Sequence, residues 1–217
     1  MIDATPSSLV TTRDVVKGKR KTQAPCSGCG LHQVRCLCDQ IPKLNLRTKV
    51  SLIIHHREMK RTSNTGLLAL QALTNSDLHV RGKTLVPFDF SEVCQDDYQQ
   101  LLLYPAEGSE ELTSHFLKKF SKPIQLLVPD GNWRQASKVS SRSPQLEGVP
   151  RVRISSAQMV LRSPDLFMRK ETKGQGMATL EAIAEAMEIL EGVEIANQLK
   201  ALYELKLRRT LEARGKI

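Results

Sequence analysis

Cys26, Cys29, Cys36 and Cys38 fall within thirteen residues in the spacing C-x2-C-x6-C-x-C. Four thiols so close suit a tetrahedral zinc ion, whose structural sites take four sulfur or nitrogen ligands and leave no open position. Such a centre organises a fold and does not itself perform a reaction. A disulfide pair would need an oxidising compartment. The sequence opens Met-Ile-Asp-Ala-Thr without an apolar leader and has no run able to span a bilayer, so a cytoplasmic location with reduced thiols is expected. The six-residue gap followed by Cys-x-Cys also departs from ferredoxin cluster spacings. His32, inside the knuckle, is expected to be a loop residue. Cys94 is expected to act as a small buried hydrophobe.

The other residues with chemical potential follow short apolar runs. His55-His56-Arg57 leads into Thr62-Ser63-Asn64-Thr65-Gly66; Tyr104-Pro105 ends a second run, Pro129-Asp130-Gly131-Asn132-Trp133 a third, and Ser155-Ser156 a fourth. Ser63 to Gly66 reads either as a turn and helix cap or as a cradle of backbone N–H groups for a polar or anionic ligand group. Asp130 reads either as the cap of a helix starting near Asn132 or as a general base. Trp133, the single tryptophan, reads as a core wedge or as a platform for an adenine or uracil ring. His55 and His56 lack a third ligand at helical spacing and are not expected to bind metal.

These loops need elements to position them. Val50–Ile54, Gln100–Tyr104 and Ile124–Val128 are short apolar runs of the kind found in strands buried on both faces, and Val152–Ile154 extends the set. Helical periodicity marks Gly66–Thr74, Glu110–Phe120, Trp133–Ser141 and Thr179–Leu190, the last with Leu180, Ile183, Ala184, Met187 and Leu190 on one face. A final helix from Glu194 to about Ala213 turns Ile195, Leu199 and Leu202 inward and offers Glu204 and Arg208 as an i,i+4 pair. The alternation predicts an α/β fold, a mostly parallel sheet with helices on both faces, which binds its ligands beyond the carboxyl ends of the strands. With 217 residues and 40% hydrophobic content, one main core is expected. We divide the chain into a mobile basic tail (1–24), a zinc knuckle (25–45) and a catalytic domain (46–217).

The net charge of +9 is unevenly spread. Residues 1–61 carry 12 basic and 4 acidic side chains, 77–111 carry 2 and 8, and 112–178 carry 12 and 4. Two basic blocks brought together would suit a polyanion, with salt-dependent binding. Aromatic residues make up only 4%, which disfavours extended base stacking and favours phosphate contacts to a folded RNA or a duplex. Neither a membrane nor an obligate protein partner is expected.

Asp130-Gly131-Asn132-Trp133-Arg134-Gln135-Ala136, taken with Ser63-Asn64-Thr65-Gly66, Tyr104-Pro105, Phe167–Lys170, Ala178–Ala182 and the four cysteines, resembles the DTW-domain family, the tRNA-uridine aminocarboxypropyltransferases. The likeness runs from Cys26 to about Leu190. Asn132 stands where that family has threonine; it keeps hydrogen-bonding capacity and loses the hydroxyl. The resemblance implies a SPOUT-like domain with a C-terminal knot. It also implies transfer of the 3-amino-3-carboxypropyl group from S-adenosylmethionine to N3 of a tRNA uridine, releasing methylthioadenosine. On that footing Asp130 is the base or the group that orients uracil. Ser63, Asn64, Thr65 and Gly66 hold the amino-acid end of the donor; Tyr104, Pro105, Trp133 and Thr179 line the rest of its pocket. Arg57, Lys60, Arg61, Arg134 and Lys138 would take RNA phosphates. The rival expectations are a SPOUT-class RNA methyltransferase and a non-catalytic zinc-knuckle RNA-binding protein.

Overall fold

The computed structural model describes residues 25–83, 88–141, 143–155 and 177–217. The expected tail (1–24) and the stretch 156–176, which holds Ser156 and the Phe167–Lys170 motif, lie outside the described residues. Six strands, all parallel, form one sheet: β1 (Lys49–His55), β2 (Ser76–Arg81), β3 (Gln99–Leu103), β4 (Glu110–Glu111), β5 (Ile124–Asp130) and β6 (Arg151–Arg153), in the spatial order β2-β1-β5-β3-β6-β4. Among the described residues the α-helices are α1 (Gly66–Ala72), α2 (Ser114–Leu117), α3 (Trp133–Ser141), α4 (Thr179–Leu190) and α5 (Val193–Ala213).

The apolar runs became the central strands because alternate residues face two different cores. Val50, Leu52, Ile54, Leu126 and Val128 pack with Leu68 and Ala69 of α1 and with Leu180, Ile183 and Met187 of α4. Ile53, Leu102 and Leu127 face the opposite side, against Phe90, Val93, Val139 of α3 and Leu146. Helices therefore lie on both faces, as expected. Leu31 and Leu37 of the cysteine knuckle join the first of these cores. Among the described residues no helix is long and apolar enough to cross a membrane.

Two elements differ from the expectation. Glu110–Phe120 is not one helix: Glu110 and Glu111 pair with Val152 and Arg153 as β4, and only Ser114–Leu117 is helical, started by the Thr113 hydroxyl accepting from Phe116 N at 3.0 Å. Its exposed glutamates gain backbone partners at the sheet edge, which outweighs a weak helical preference. Residues 76–81, not anticipated as a strand, form β2. Here Leu78 and Val80 alternate with Asp77, His79 and Arg81, the period-two pattern of a half-buried strand, which a reading based on continuous apolar runs passes over. Glu204 and Arg208 form no ion pair among those of the described residues.

Register sets the site. Ile54 of β1 lies opposite Asp130 of β5, and Leu103 of β3 opposite Val152 of β6, so the strands end almost level with one another. In parallel sheets this carboxyl edge, where connections leave in different directions, opens a crevice.

Candidate active site

A cavity of about 270 Å³ occupies that crevice, close to the lower end of the range typical of small-molecule sites. Ser63, Asn64, Thr65, Tyr104, Pro105, Asp130, Trp133 and Thr179 all line it, so three of the loops expected at strand ends meet there with the start of α4, while Ser155 does not line it and Ser156 lies outside the described residues. Gly66 does not line it. A side chain there would come within 3.0 Å of Asp130 Oδ2 and Leu52 Cδ2, and the glycine lets α1 approach the strand ends.

Asp130 is the hub. It is 8% exposed, and both carboxylate oxygens are engaged: Oδ2 accepts from Asn64 Nδ2 at 2.5 Å and Oδ1 from the Thr179 hydroxyl at 2.7 Å. The other end of the Asn64 carboxamide accepts from Leu67 N at 2.9 Å, which caps α1 and fixes the orientation of the side chain. Thr65 performs a similar task at a distance, its hydroxyl oxygen accepting from Leu180 N at 3.2 Å at the start of α4. The residues expected to hold a ligand are thus first bonded to one another, which orients the carboxylate before any ligand arrives.

Asp130 does not cap α3. Asn132 does: its Oδ1 accepts from Gln135 N at 2.9 Å while Gln135 Oε1 accepts from Asn132 N at 2.8 Å, a reciprocal capping box. Asparagine serves this position as well as threonine would, so the departure at residue 132 preserves the turn. Trp133 is not a core wedge; it is 47% exposed at the cavity rim, edge-on to Tyr104 with ring centroids 5.9 Å apart. Burial pushes the Tyr104 phenol pKa up, partly offset by its hydrogen bond with Ser137.

A family model for the DTW domain matches residues 23–211. The chain belongs to the DTW-domain family. That membership is consistent with tRNA modification. No solved structure matches the chain.

The DTW match takes in the cysteine knuckle. Its four Sγ atoms all lie within 4.8 Å of one another, with Cys26–Cys38 and Cys26–Cys36 at 3.5 Å and Cys29–Cys36 at 3.8 Å. Four sulfurs arranged tetrahedrally at about 2.3 Å from a zinc ion would be about 3.8 Å apart, so the donor set fits zinc after small side-chain adjustments. Backbone N–H groups of Cys29 and Gly28, with help from the Cys36 and Cys38 thiols, draw the Cys26 pKa down to about 6. Burial and the neighbouring thiols push Cys38 up to about 12, a clash of demands that a cation resolves. His32 stays outside the set; its Nδ1 accepts from Val34 N at 3.3 Å. Cys94 packs half-buried on the second core, where burial raises its pKa.

Arg57, Lys60, Arg61, Arg134 and Lys138 are all exposed, on the loop after β1 and on α3, and none of them lines this DTW cavity. Arg61 is committed to the buried Glu58 at 3.2 Å. Arg57 and Lys138 belong to a basic cluster: burial, then the neighbouring charges of His56, Arg81, Arg57 and Lys138, hold the His55 pKa below its ordinary value. Arg81 ties the cluster to α3, donating to Gln135 O at 2.8 Å.

The sequence reading missed Glu58, Arg153, Glu181 and Tyr203, which also line the cavity. Arg153 closes β6 and was open to the same strand-end argument, and Glu181 sits inside the Ala178–Ala182 motif. Glu58 follows β1 by three residues. Tyr203 comes from the middle of α5, and nothing local in the sequence marks it.

Proposed function

We propose that the protein transfers the 3-amino-3-carboxypropyl group of S-adenosylmethionine to N3 of a tRNA uridine in the cytoplasm, releasing methylthioadenosine. The observation that carries this reading is Asp130: a carboxylate at the strand ends, held by Asn64 and Thr179 and facing a cavity of small-molecule size. Three carboxylates, Glu58, Asp130 and Glu181, line the cavity against one guanidinium, Arg153, among the described residues. Even with Glu58 offset by Arg61, that balance suits a donor with a sulfonium and an ammonium group.

The donor supplies an electrophilic carbon beside the sulfonium. When N3 attacks the γ-carbon, the N–C bond forms, the C–S bond breaks, its electron pair neutralises the sulfur, and the N3 proton must leave. Asp130 is the acceptor for that proton, or the group that orients the N3–H, because a base must come within hydrogen-bond reach. The Asn64 carboxamide and Thr65 hydroxyl are already engaged, so the amino-acid end of the donor is held by backbone of this loop and by Arg153. Tyr104, Pro105 and Trp133 supply apolar and aromatic surface for rings. N3 lies on the Watson–Crick edge, so the target uridine must be unpaired when it reacts.

The test is nucleoside mass spectrometry of tRNA incubated with the protein and S-adenosylmethionine. A uridine carrying the aminocarboxypropyl group, together with methylthioadenosine, supports the proposal. S-adenosylhomocysteine and a methylated base would replace it with a methyltransferase. Asp130→Asn should abolish the product while leaving tRNA affinity within about twofold, since a positioned proton acceptor contributes on the order of 100-fold or more in rate.

A further inference from the structure

Lys206, on α5, is 0% exposed and the largest wholly buried side chain among the described residues. A buried ammonium is tolerated only with partners, and Lys206 Nζ donates to two backbone carbonyls. One is that of Cys29, inside the knuckle; the other is that of Thr62, at 3.0 Å. Thr62 immediately precedes the Ser63-Asn64-Thr65 loop. The two backbones also touch directly at Gly30, where φ is +71° and a side chain would meet Thr62 Cα at 3.2 Å and Thr62 O at 3.3 Å. Beyond the loop, Gln71 Nε2 of α1 donates to Gly28 O at 2.9 Å. One turn along α5, Arg209 donates to the carbonyls of Arg35 (3.1 Å) and Cys36, so it grips the far side of the knuckle without touching the loop.

We propose that Lys206 is a positioning residue that couples the metal knuckle to the active-site loop. Four cysteine ligands around zinc fix the Cys29 carbonyl and leave about two negative charges on the centre, which the adjacent ammonium offsets. Through Lys206 that fixed carbonyl sets the Thr62 carbonyl, and so the loop from which Asn64 orients Asp130. By linkage, a ligand that tightens the loop also tightens metal binding. The inference rests on reading the cavity as the donor pocket only for its effect on donor affinity.

Amide hydrogen exchange at Asn64 and Leu67, which donate to Arg61 O and Asn64 Oδ1, reads the loop without any donor. Removing zinc from the wild-type chain with a chelator should accelerate both amides about tenfold while β5 stays protected. Zinc-loaded Lys206→Met should already exchange at the faster rate and respond no further to the chelator. Arg209→Met, which frees only the far side of the knuckle, should keep the wild-type response. Wild-type rates in zinc-loaded Lys206→Met, or rates in the wild type that ignore zinc, overturn the proposal. Should metal-free protein unfold, with β5 protection lost, the zinc-loaded Lys206→Met measurement decides alone. Should Lys206→Met not fold, the wild-type zinc response decides, with zinc-loaded Lys206→Arg expected to restore slow exchange. In parallel, calorimetric titration with S-adenosylmethionine should give about tenfold weaker binding to metal-free protein and to Lys206→Met. If zinc-loaded wild type binds no S-adenosylmethionine, the proposed function fails while the exchange data still judge the coupling.

Discussion

Asp130 draws its orientation from two neighbours that came from distant parts of the chain, Asn64 and Thr179. If the carboxylate must be aimed rather than merely present, then Asn64→Ala and Thr179→Val, each of which frees one oxygen, should lower kcat by about tenfold to 100-fold, the penalty expected for misplacing a reacting group. KM for the donor should rise less in Thr179→Val than in Asn64→Ala, because Asn64 also caps α1. Steady-state kinetics with both substrates would check this. Equal losses in KM and unchanged kcat would show that these residues bind rather than aim. The sequence pointed to Asn64 and Asp130 through their place after apolar runs, and to Thr179 only through the resemblance to the DTW-domain family. That Asn64 and Thr179 serve Asp130 first was not legible, since a hydrogen bond across 49 or 66 residues leaves no trace in local spacing.

Among the elements, the segment between β2 and β3, which packs Phe90 and Val93 on the sheet, is also fastened to it by the polar contacts of one buried side chain. Gln125 of β5 donates from Nε2 to Ser51 Oγ (2.8 Å) and Val93 O (2.7 Å), and its Oε1 accepts from Gln95 N at 3.0 Å. Gln125→Leu keeps the volume and orphans these partners, so urea or thermal unfolding should reveal a loss of about 2–4 kcal/mol, at about 1–3 kcal/mol per stranded buried group with some rehydration. A loss below about 0.5 kcal/mol would mean that water takes over. On edge strand β2, burial alone would raise the Asp77 pKa, but His79, Lys49 and Ser51 together hold it well below the usual carboxylate range. A carboxylate whose folded pKa is depressed stabilises the protein above its unfolded pKa of about 3.9. That contribution fades as pH falls below this value toward the folded one. Asp77→Asn should therefore lower Tm at pH 6, and the difference from wild type should shrink steadily as pH falls below about 4. Asp77, His79 and Arg81 give β2 the alternation that a reading based on continuous apolar runs passes over, while β1, β3 and β5, apolar on both faces, were plain. Glu110–Phe120 failed for the opposite reason: a helix-like composition yielded to backbone pairing with β6, which only the assembled sheet offers.

The whole molecule sets a cationic surface around an acid-lined cavity. Arg57, Lys60, Arg134 and Lys138 are exposed near the carboxyl edge of the sheet, so tRNA affinity should fall steeply with salt as counterions are released. Replacing Arg134 and Lys138 together by alanine should reduce the slope of log K against log salt by about 1–2, at slightly under one per phosphate contact, without changing kcat for bound tRNA. Filter binding across a salt series would measure it, and an unchanged slope would move the RNA path elsewhere. The basic blocks and the strand-end cluster could be read from the sequence, whereas the burial of Lys206 could not. A lysine among Leu202, Leu207 and Thr210 reads as a solvated position until the carbonyls that receive it are in place.

Lys206 and Cys29 stand 177 residues apart, and that separation fixes an order of events at the ribosome. At about 5–20 residues per second, the four thiols emerge roughly 9–35 s before the helix that buries the knuckle is synthesised. During that interval the thiols have neither the lysine nor the arginine of α5 against them. A bound ion would then act as their guardian against oxidation while the rest of the chain is made, so newly synthesised protein from zinc-starved cells should accumulate knuckle disulfides that the mature fold never forms.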